Sequence, residues 1–317
     1  MFPRGGLNGL ILFVVNERSG NGRGRATWEK AEAKLRELDA PYERISTRSE
    51  EDAAERVGER MKRGDLKAVA VVGGDGTLHG LLPLLAGSGL PCGLIPSGSG
   101  NDTSRTLGIP RDPLQALEIV LAGRKRRIDL LETTDANGKR RTALTALAVG
   151  LDAAVAADVN ASGYKRWCNK LGVGSLAYVI GLLRTLAKFK PRPIAVTVDG
   201  TTLRYERAWL SAVTNVSSYG GGLRISPSAL PDDGLLHVCV VHRCSALRLL
   251  FVFPTLLVGR HARLKRYVAL HTGREVDIRT ADEEPMLAFG DGEPSGSTPI
   301  RASIRPGQLD FLTSVSG

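Results

Sequence analysis

The chain has 317 residues, 42% of them hydrophobic and 24% charged, with a formal net charge of +10. That length suits two cores better than one, and the composition excludes a disordered or fibrous chain. Aromatic residues make up only 5% and do not interleave with arginine and lysine, which argues against a nucleic-acid partner and turns the positive charge toward anionic lipid surfaces or anionic substrates.

Gly9–Val15 reads as a first strand, and the segment from Asn16 to Gly22 as the loop that follows it. Residues 26–38 predict a helix with Trp28, Ala31, Leu35 and Leu38 on one face. A strand at 42–46 and a helix at 51–62, with Ala54, Val57 and Met61 aligned, come next. Strands at 67–72 and 91–95 each run into a glycine-rich turn and a helix, and 113–121 predicts a helix with proline in its first turn. This βαβα alternation implies a three-layer α/β domain with a parallel sheet.

Near residue 128 the pattern changes. Asn137-Gly138 and Asp199-Gly200 are hairpin signals. Strands are predicted at 142–149, 194–198, 201–206, 208–215, 234–241, 267–271, 274–279, 285–289 and 299–304, with helices at 173–188 and 245–258. The reading is an α/β domain over 1–130 and a mostly antiparallel β-sandwich domain over 131–305.

No apolar run approaches the ~20 residues of a spanning helix, and the longest, Leu249 to Val258, is broken by Pro254. The first strand is too short for a signal-peptide core. Cys92, Cys168, Cys239 and Cys244 include no Cys-x-x-Cys pair, which points to a reduced, cytoplasmic protein. His237, Cys239, His242 and Cys244 cluster in sequence, but strand alternation sends His237 and Cys239 to one face and His242 to the other, so they read as a strand and its turn.

Two stretches carry the chemistry. Gly73-Gly74-Asp75-Gly76-Thr77 and Pro96-Ser97-Gly98-Ser99-Gly100-Asn101-Asp102 each follow a short apolar strand and precede a helix. Glycines let backbone N–H groups approach a large anion, and a helix start adds partial positive charge. A bare aspartate beside phosphates needs a cation between them, so Asp75 points to a magnesium nucleotide.

These loops, with Asp233-Gly234-Leu235-Leu236 and Asp291-Gly292-Glu293 further on, resemble the catalytic domain of the diacylglycerol kinase superfamily, in its order and over nearly the whole chain. The resemblance is to the soluble bacterial lipid kinases and the sphingosine and ceramide kinases. It implies a nucleotide site in a cleft between the domains, return of residues 306–317 to the first domain, and an ATP- and Mg2+-dependent lipid kinase. By family position, Asn16, Ser19, Gly20, Thr47, Gly73, Gly74, Asp75, Gly76, Thr77, Ser97, Gly98, Ser99, Asn101 and Asp102 bind the nucleotide. Asp75 is expected to share a water network and a catalytic magnesium with Asp102, and Asp129 resembles a third member. The turn at Asp291 to Glu293 is implied to accept the proton, with the choice between the two acids open. A structural magnesium is implied on Asp233 and the carbonyls of Leu230 and Leu235.

The chain departs from the family at Glu17, at His79-Gly80 and at His237. A lipid substrate (diacylglycerol, a sphingoid base or a related lipid) and peripheral association with an anionic membrane surface are expected; which lipid is used and whether the chain forms a homodimer are left open. So are two other readings: a kinase of NAD or another small alcohol, and a non-catalytic lipid-binding regulator. Gly20-x-Gly22-x-Gly24 would suit a dinucleotide oxidoreductase but misses the expected spacing before the third glycine.

Overall fold

Residues 9–47, 49–163, 174–282 and 284–314 are described by the structure, a computed structural model. They divide into two units, Met1–Ile128 with Gly307–Gly317, and Asp129–Pro306. Cys168 and the side chain of Leu176 lie outside the described residues.

The first unit is built on a parallel sheet that is apolar and buried in all but its second strand, which is polar and largely unburied. Its strands are β1 (Leu10–Val15), β2 (Tyr42–Ser46), β3 (Leu66–Gly73) and β4 (Cys92–Pro96). β1 pairs in parallel with β2 and β3, β3 pairs in parallel with β4, and Phe311 near the end of the chain pairs in parallel with Cys92. Residues 68–72 of β3 are fully buried, as a near-continuous run of Ala and Val in a parallel sheet requires. Helix α1 (Ser19–Glu37) packs on β1 and β3, α2 (Glu50–Met61) on β2, and α6 (Pro113–Ala122) on β4. Short helices α3 (Asp75–His79), α4 (Leu82–Leu85) and α5 (Asp102–Thr106) follow the glycine-rich turns and β3. Helix α1 begins seven residues before the predicted start at 26, but Gly20, Asn21 and Gly22 interrupt it with left-handed backbone (φ 55°, 62° and 90°).

Arg60 on α2 ties this edge together. Its side chain is only 6% exposed. It donates to both oxygens of Glu43 on β2 (2.5 and 3.0 Å) and both oxygens of Asp65 before β3 (2.6 and 3.0 Å).

In the second unit the strands pair antiparallel: β6 (Arg140–Ala143), β7 (Ala146–Gly150), β8 (Arg192–Val198), β9 (Thr201–Thr214), β10 (Leu236–His242), β11 (Val268–Gly273), β12 (Glu275–Thr280), β13 (Leu287–Gly290) and β14 (Glu293–Ser297). Strands β5 (Lys125–Thr134) and β15 (Ile300–Leu312) carry the chain between the units. The predicted strands at 201–206 and 208–215 are one, β9, which pairs with β8 along its first half and with both β7 and β10 along its second. Every residue of β10 is buried: Val238 and Val240 face a core shared with β7, β8 and β12, while Cys239 and Val241 face the helices. Those helices are α7 (Leu151–Ala161), α8 (Gly174–Leu186) and α9 (Ala246–Leu256). Leu151, Val155 and Val159 of α7 recur every fourth residue, the helical spacing that buries one face. Neither α7 nor β14 is foreseen by the sequence reading.

The predicted strand at 142–149 is broken at Leu144 and Thr145 into β6 and β7. The reason is electrostatic. The backbone N–H groups of Leu144, Thr145 and Ala146 donate to the carboxylate of Asp291. Among the described residues no helix is long and apolar enough to cross a membrane.

Hydrogen bonding to Arg60 holds the Glu43 and Asp65 carboxyls below their ordinary values of 4.5 and 3.8. Carboxyls lowered in the folded state stabilise it above those ordinary values, and that stabilisation is lost as pH falls through the lowered ones. Arg60→Met is therefore expected to melt lower than the parent at pH 7 and to show a shallower loss of Tm between about pH 4.5 and 3. Parallel Tm–pH curves for the two proteins would refute the assignment.

Candidate active site

Three loops of the first unit converge. The loop after β1 brings Asn16, whose amide Nδ2 donates to Thr77 Oγ1 (2.9 Å), and Ser19, whose hydroxyl pairs with that of Ser97. Arg23 donates through Nε to the carbonyl of Gly20 (2.9 Å) and through Nη2 to that of Gly98 (3.0 Å), bridging the first and third loops. Gly20 is required, because a Cβ there would lie 2.0 Å from the Ser97 carbonyl oxygen in a left-handed conformation. Gly74 and Gly98 are in contact, and a Cβ on Gly98 would fall 2.6 Å from Gly74 Cα.

Asp75 is the fastener. Its Oδ2 accepts the Asp102 N–H and its Oδ1 the Thr103 N–H, both at 3.0 Å. The carboxylate of one glycine loop thus caps the helix that opens from the other, taking N–H groups that a helix start leaves unpaired. Asp102 turns its own carboxylate to Arg105. Asn101 is left-handed (φ 52°) and donates through Nδ2 to the Gly98 carbonyl (2.9 Å). Its Oδ1 is buried with no hydrogen-bond partner among the described residues, an acceptor that a bound group would satisfy. Ser99 stands exposed at the tip of its loop.

A cleft of about 1180 Å³ opens beside the first loop, lined by Arg18, Asn21, Gly22, Arg44, Thr47 and Arg56 among others. Thr47 enters its wall from the end of β2, where its N–H donates to the Val15 carbonyl (2.9 Å). The rim carries arginines partly matched by Glu17 and Asp52, with Arg44 and Arg25 on Glu17 and Arg56 on Asp52, and the backbone is open at Gly22.

The remaining motif acids sit in the second unit. Asp291 (φ 52°) accepts from Leu144 N (2.7 Å), Thr145 N (2.8 Å), Thr145 Oγ1 (2.5 Å) and Ala146 N (3.1 Å). Glu293, two residues on, starts β14 half-buried. Asn160 at the end of α7 donates to the Gly292 carbonyl (3.0 Å) between them. Asp129 is buried and accepts the Gly234 N–H (2.7 Å), while its own N–H donates to the Pro231 carbonyl (2.7 Å). It fixes the turn that contains Asp233.

At Asp233 the donor set does not fit the implied magnesium. Oδ1 receives the Leu235 N–H (2.9 Å), and Oδ2 the Leu230 N–H (3.3 Å) and the His237 ring nitrogen (3.1 Å). These three donors hold most of the carboxylate's lone pairs and close the turn by hydrogen bonds without an ion. The histidine stands where the family often has an aspartate. Among the described residues no group of three His, Cys, Asp or Glu is arranged to hold a metal.

Arg23, Thr145 and Asn160 are the participants that sequence reading passes over. They act through backbone carbonyls or a remote carboxylate, which leaves no motif. Asp152 lies on the unforeseen helix α7. It receives the Tyr219 hydroxyl (2.6 Å), and burial pushes its carboxyl up to about 7.

With this geometry in view, two family descriptions match the chain. "Diacylglycerol kinase catalytic domain" covers residues 10–133, and "YegS C-terminal NAD kinase beta sandwich-like domain" covers 145–313. A protein of Mycobacterium tuberculosis named "Diacylglycerol kinase" is 32% identical over 305 residues, 96% of this chain and 95% of that one. A Stenotrophomonas maltophilia protein named "Probable lipid kinase YegS-like" is 29% identical, covering 81% and 82% of the two chains. A solved structure described as a diacylglycerol kinase from Bacillus anthracis superposes with a TM-score of 0.72 over 97% of each chain at 20% identity, a likeness of fold.

The Asp233 arrangement yields a direct expectation. Thermal melts in magnesium and in a chelator should coincide. Asp233→Ala should lower Tm in both by a similar ~2–6 °C, from the loss of hydrogen bonds worth about 1–2 kcal/mol. A chelator-induced drop that Asp233→Ala abolishes would restore the metal.

Proposed function

Because this chain belongs to the diacylglycerol kinase family, we propose that it is an ATP-dependent lipid kinase that transfers the γ-phosphoryl group to a lipid hydroxyl. The single observation that carries the nucleotide assignment is the Asp75 clamp, which fixes two glycine loops against each other beside an open, arginine-rimmed cleft.

In this reading the cleft lined by Arg44 and Thr47 takes the nucleoside end. The loops at 73–77 and 97–102 take the triphosphate on backbone N–H groups and on the hydroxyls of Thr77, Ser97 and Ser99. Magnesium, arriving with the nucleotide, supplies charge neutralisation of the phosphates. Catalysis by such loops is positioning: they hold the γ-phosphoryl group for in-line attack.

The acceptor oxygen forms the new bond to the γ-phosphorus, the bond to the β–γ bridging oxygen breaks, and the hydroxyl proton leaves. Glu293 is the group that takes it. Asp291 has four donors on its two oxygens and is committed to the backbone of residues 144–146. Glu293 has the longer side chain and holds none of those bonds. Asp291 positions the turn, and Glu293 accepts the proton and releases it to water.

The deciding assay is transfer of label from γ-labelled ATP to a total lipid extract. Asp75→Ala should lose nucleotide binding together with transfer. Glu293→Gln should lower turnover about 100-fold or more, with nucleotide affinity within about twofold. Asp291→Asn should lower both turnover and Tm. Full activity in Glu293→Gln would remove it from the proton-accepting role, and labelled lipid from Asp75→Ala at the parent rate would end the nucleotide assignment.

A further inference from the structure

Helix α9 is apolar on two sides. Leu249, Val252 and Leu256 are buried in the core beneath it. Leu247, Phe251, Pro254 and Val258 recur at intervals of four, three and four residues and face outward. Phe251 is 80% exposed and Leu247 72%. A stripe of this kind on one helix, rather than a scatter of single residues, marks an interaction surface.

The surroundings say what it meets. Between Asp233 and Glu275 the sequence contains no aspartate or glutamate. The same segment exposes Arg248 on α9, Arg260 and Arg263 on the 3-10 turn Arg260–Arg263, and Lys265 and Arg266 just beyond it. No ion pair is recorded for these five among the described residues. The guanidinium groups of Arg248 and Arg266 both lie 5.8 Å from the ring of Tyr267. Helix α8 also exposes Val179 and Leu183, but its Arg184 pairs with Asp158 of α7, so its cation is already matched.

We propose that α9 and the basic turn after it form a docking surface for an anionic lipid bilayer, with Leu247 and Phe251 entering the acyl boundary and Arg248, Arg260, Arg263, Lys265 and Arg266 ringing them at the headgroups. A large aromatic and a leucine at the tip of a surface helix with cations at its edge is the arrangement that binds in the interfacial plane. A second copy of the chain is the poorer occupant, because two such faces would oppose like charges with no acid between them. The inference rests on the lipid-kinase reading only for its biological sense; the surface itself stands on exposure and charge.

The test uses the full chain and sedimenting vesicles of phosphatidylcholine, alone or with a third phosphatidylglycerol, without nucleotide. The parent should bind the anionic vesicles and lose that binding in high salt. Phe251→Asp with Leu247→Asp should weaken binding at least tenfold with an unchanged melting curve. Arg260→Glu with Arg263→Glu, which leaves the helix intact, should weaken it about fivefold per reversed charge. Parent binding by either variant overturns the proposal, as does equal binding of the parent to uncharged vesicles, or a dimer in solution that Phe251→Asp dissociates. Transfer to a short-chain, water-soluble acceptor separates the two claims. Transfer without vesicle binding overturns the docking surface and leaves the kinase reading standing; vesicle binding without transfer does the reverse.

Discussion

A single carboxylate, that of Asp75, holds the N–H groups of Asp102 and Thr103, and the geometry of the nucleotide loops depends on it. A loop that presents many backbone donors to an anion is unstable when empty, because its N–H groups point at one another's partial charges. Asp75 offsets that by neutralising the end of α5 from within the protein. Charge-assisted hydrogen bonds of this kind contribute about 1.5–3 kcal/mol each, enough to hold a five-residue helix that has almost no propensity to stand alone. The contact of Gly74 with Gly98, the Arg23 bridge and the Ser19–Ser97 pair then become possible.

The same device recurs. Asp129 accepts the Gly234 N–H, Asp233 those of Leu230 and Leu235, and Asp291 those of Leu144, Thr145 and Ala146. Each aspartate takes amides of a turn or strand break that have no ladder partner; Asp233 and Asp291 stand beside strand ends, and Asp129 reaches such a turn from within β5. In the second unit this lets one antiparallel sheet stop and restart: β6 ends, the chain hands its donors to Asp291, and β7 begins. Asp75, Asp233 and Asp291 are therefore builders of backbone, which suits the Asp-Gly pair found in three of the four motifs: at 233–234 and 291–292 a left-handed residue supplies the bend and the aspartate supplies the acceptor.

The parallel sheet of the first unit was legible because its strands are continuous Val, Ile and Ala runs and its turns are glycine signals; β2, β3, β4 and α6 lie within a residue or two of their predicted bounds. The glycine loops were legible as local strings. The misses share one cause, which is information carried by distant partners. The break at Leu144 is invisible in the apolar run 142–149, since the carboxylate that causes it lies about 150 residues on. Helix α7 is Ala-rich, and its Leu151, Val155 and Val159 are too sparse to stand out beside strand-like neighbours. The joining of 201–206 with 208–215 reflects tertiary pairing on both edges of β9, which carries the strand through Arg207. At Asp233 the hydrogen bonds of Leu230, Leu235 and His237 stand where the resemblance implies a magnesium, and the sequence motif alone carries no sign of them.

His237 illustrates how motif letters and chemistry separate. A metal on a turn and a histidine on a turn perform the same mechanical task, tying a carboxylate to a neighbouring strand, but they differ in what they ask of the environment. The ion needs several oxygen lone pairs and retained water; the histidine needs one acceptor and a buried ring, which β10 provides. The same logic separates Asp291 from Glu293. An acid whose lone pairs are spent on amides cannot also gather a proton without releasing the fold it maintains, which is why the proposed reaction gives the proton to Glu293, with one more methylene and none of those bonds. In that proposal architecture and reactivity are divided between two acids of one turn, and the division is argued from where the hydrogen bonds go.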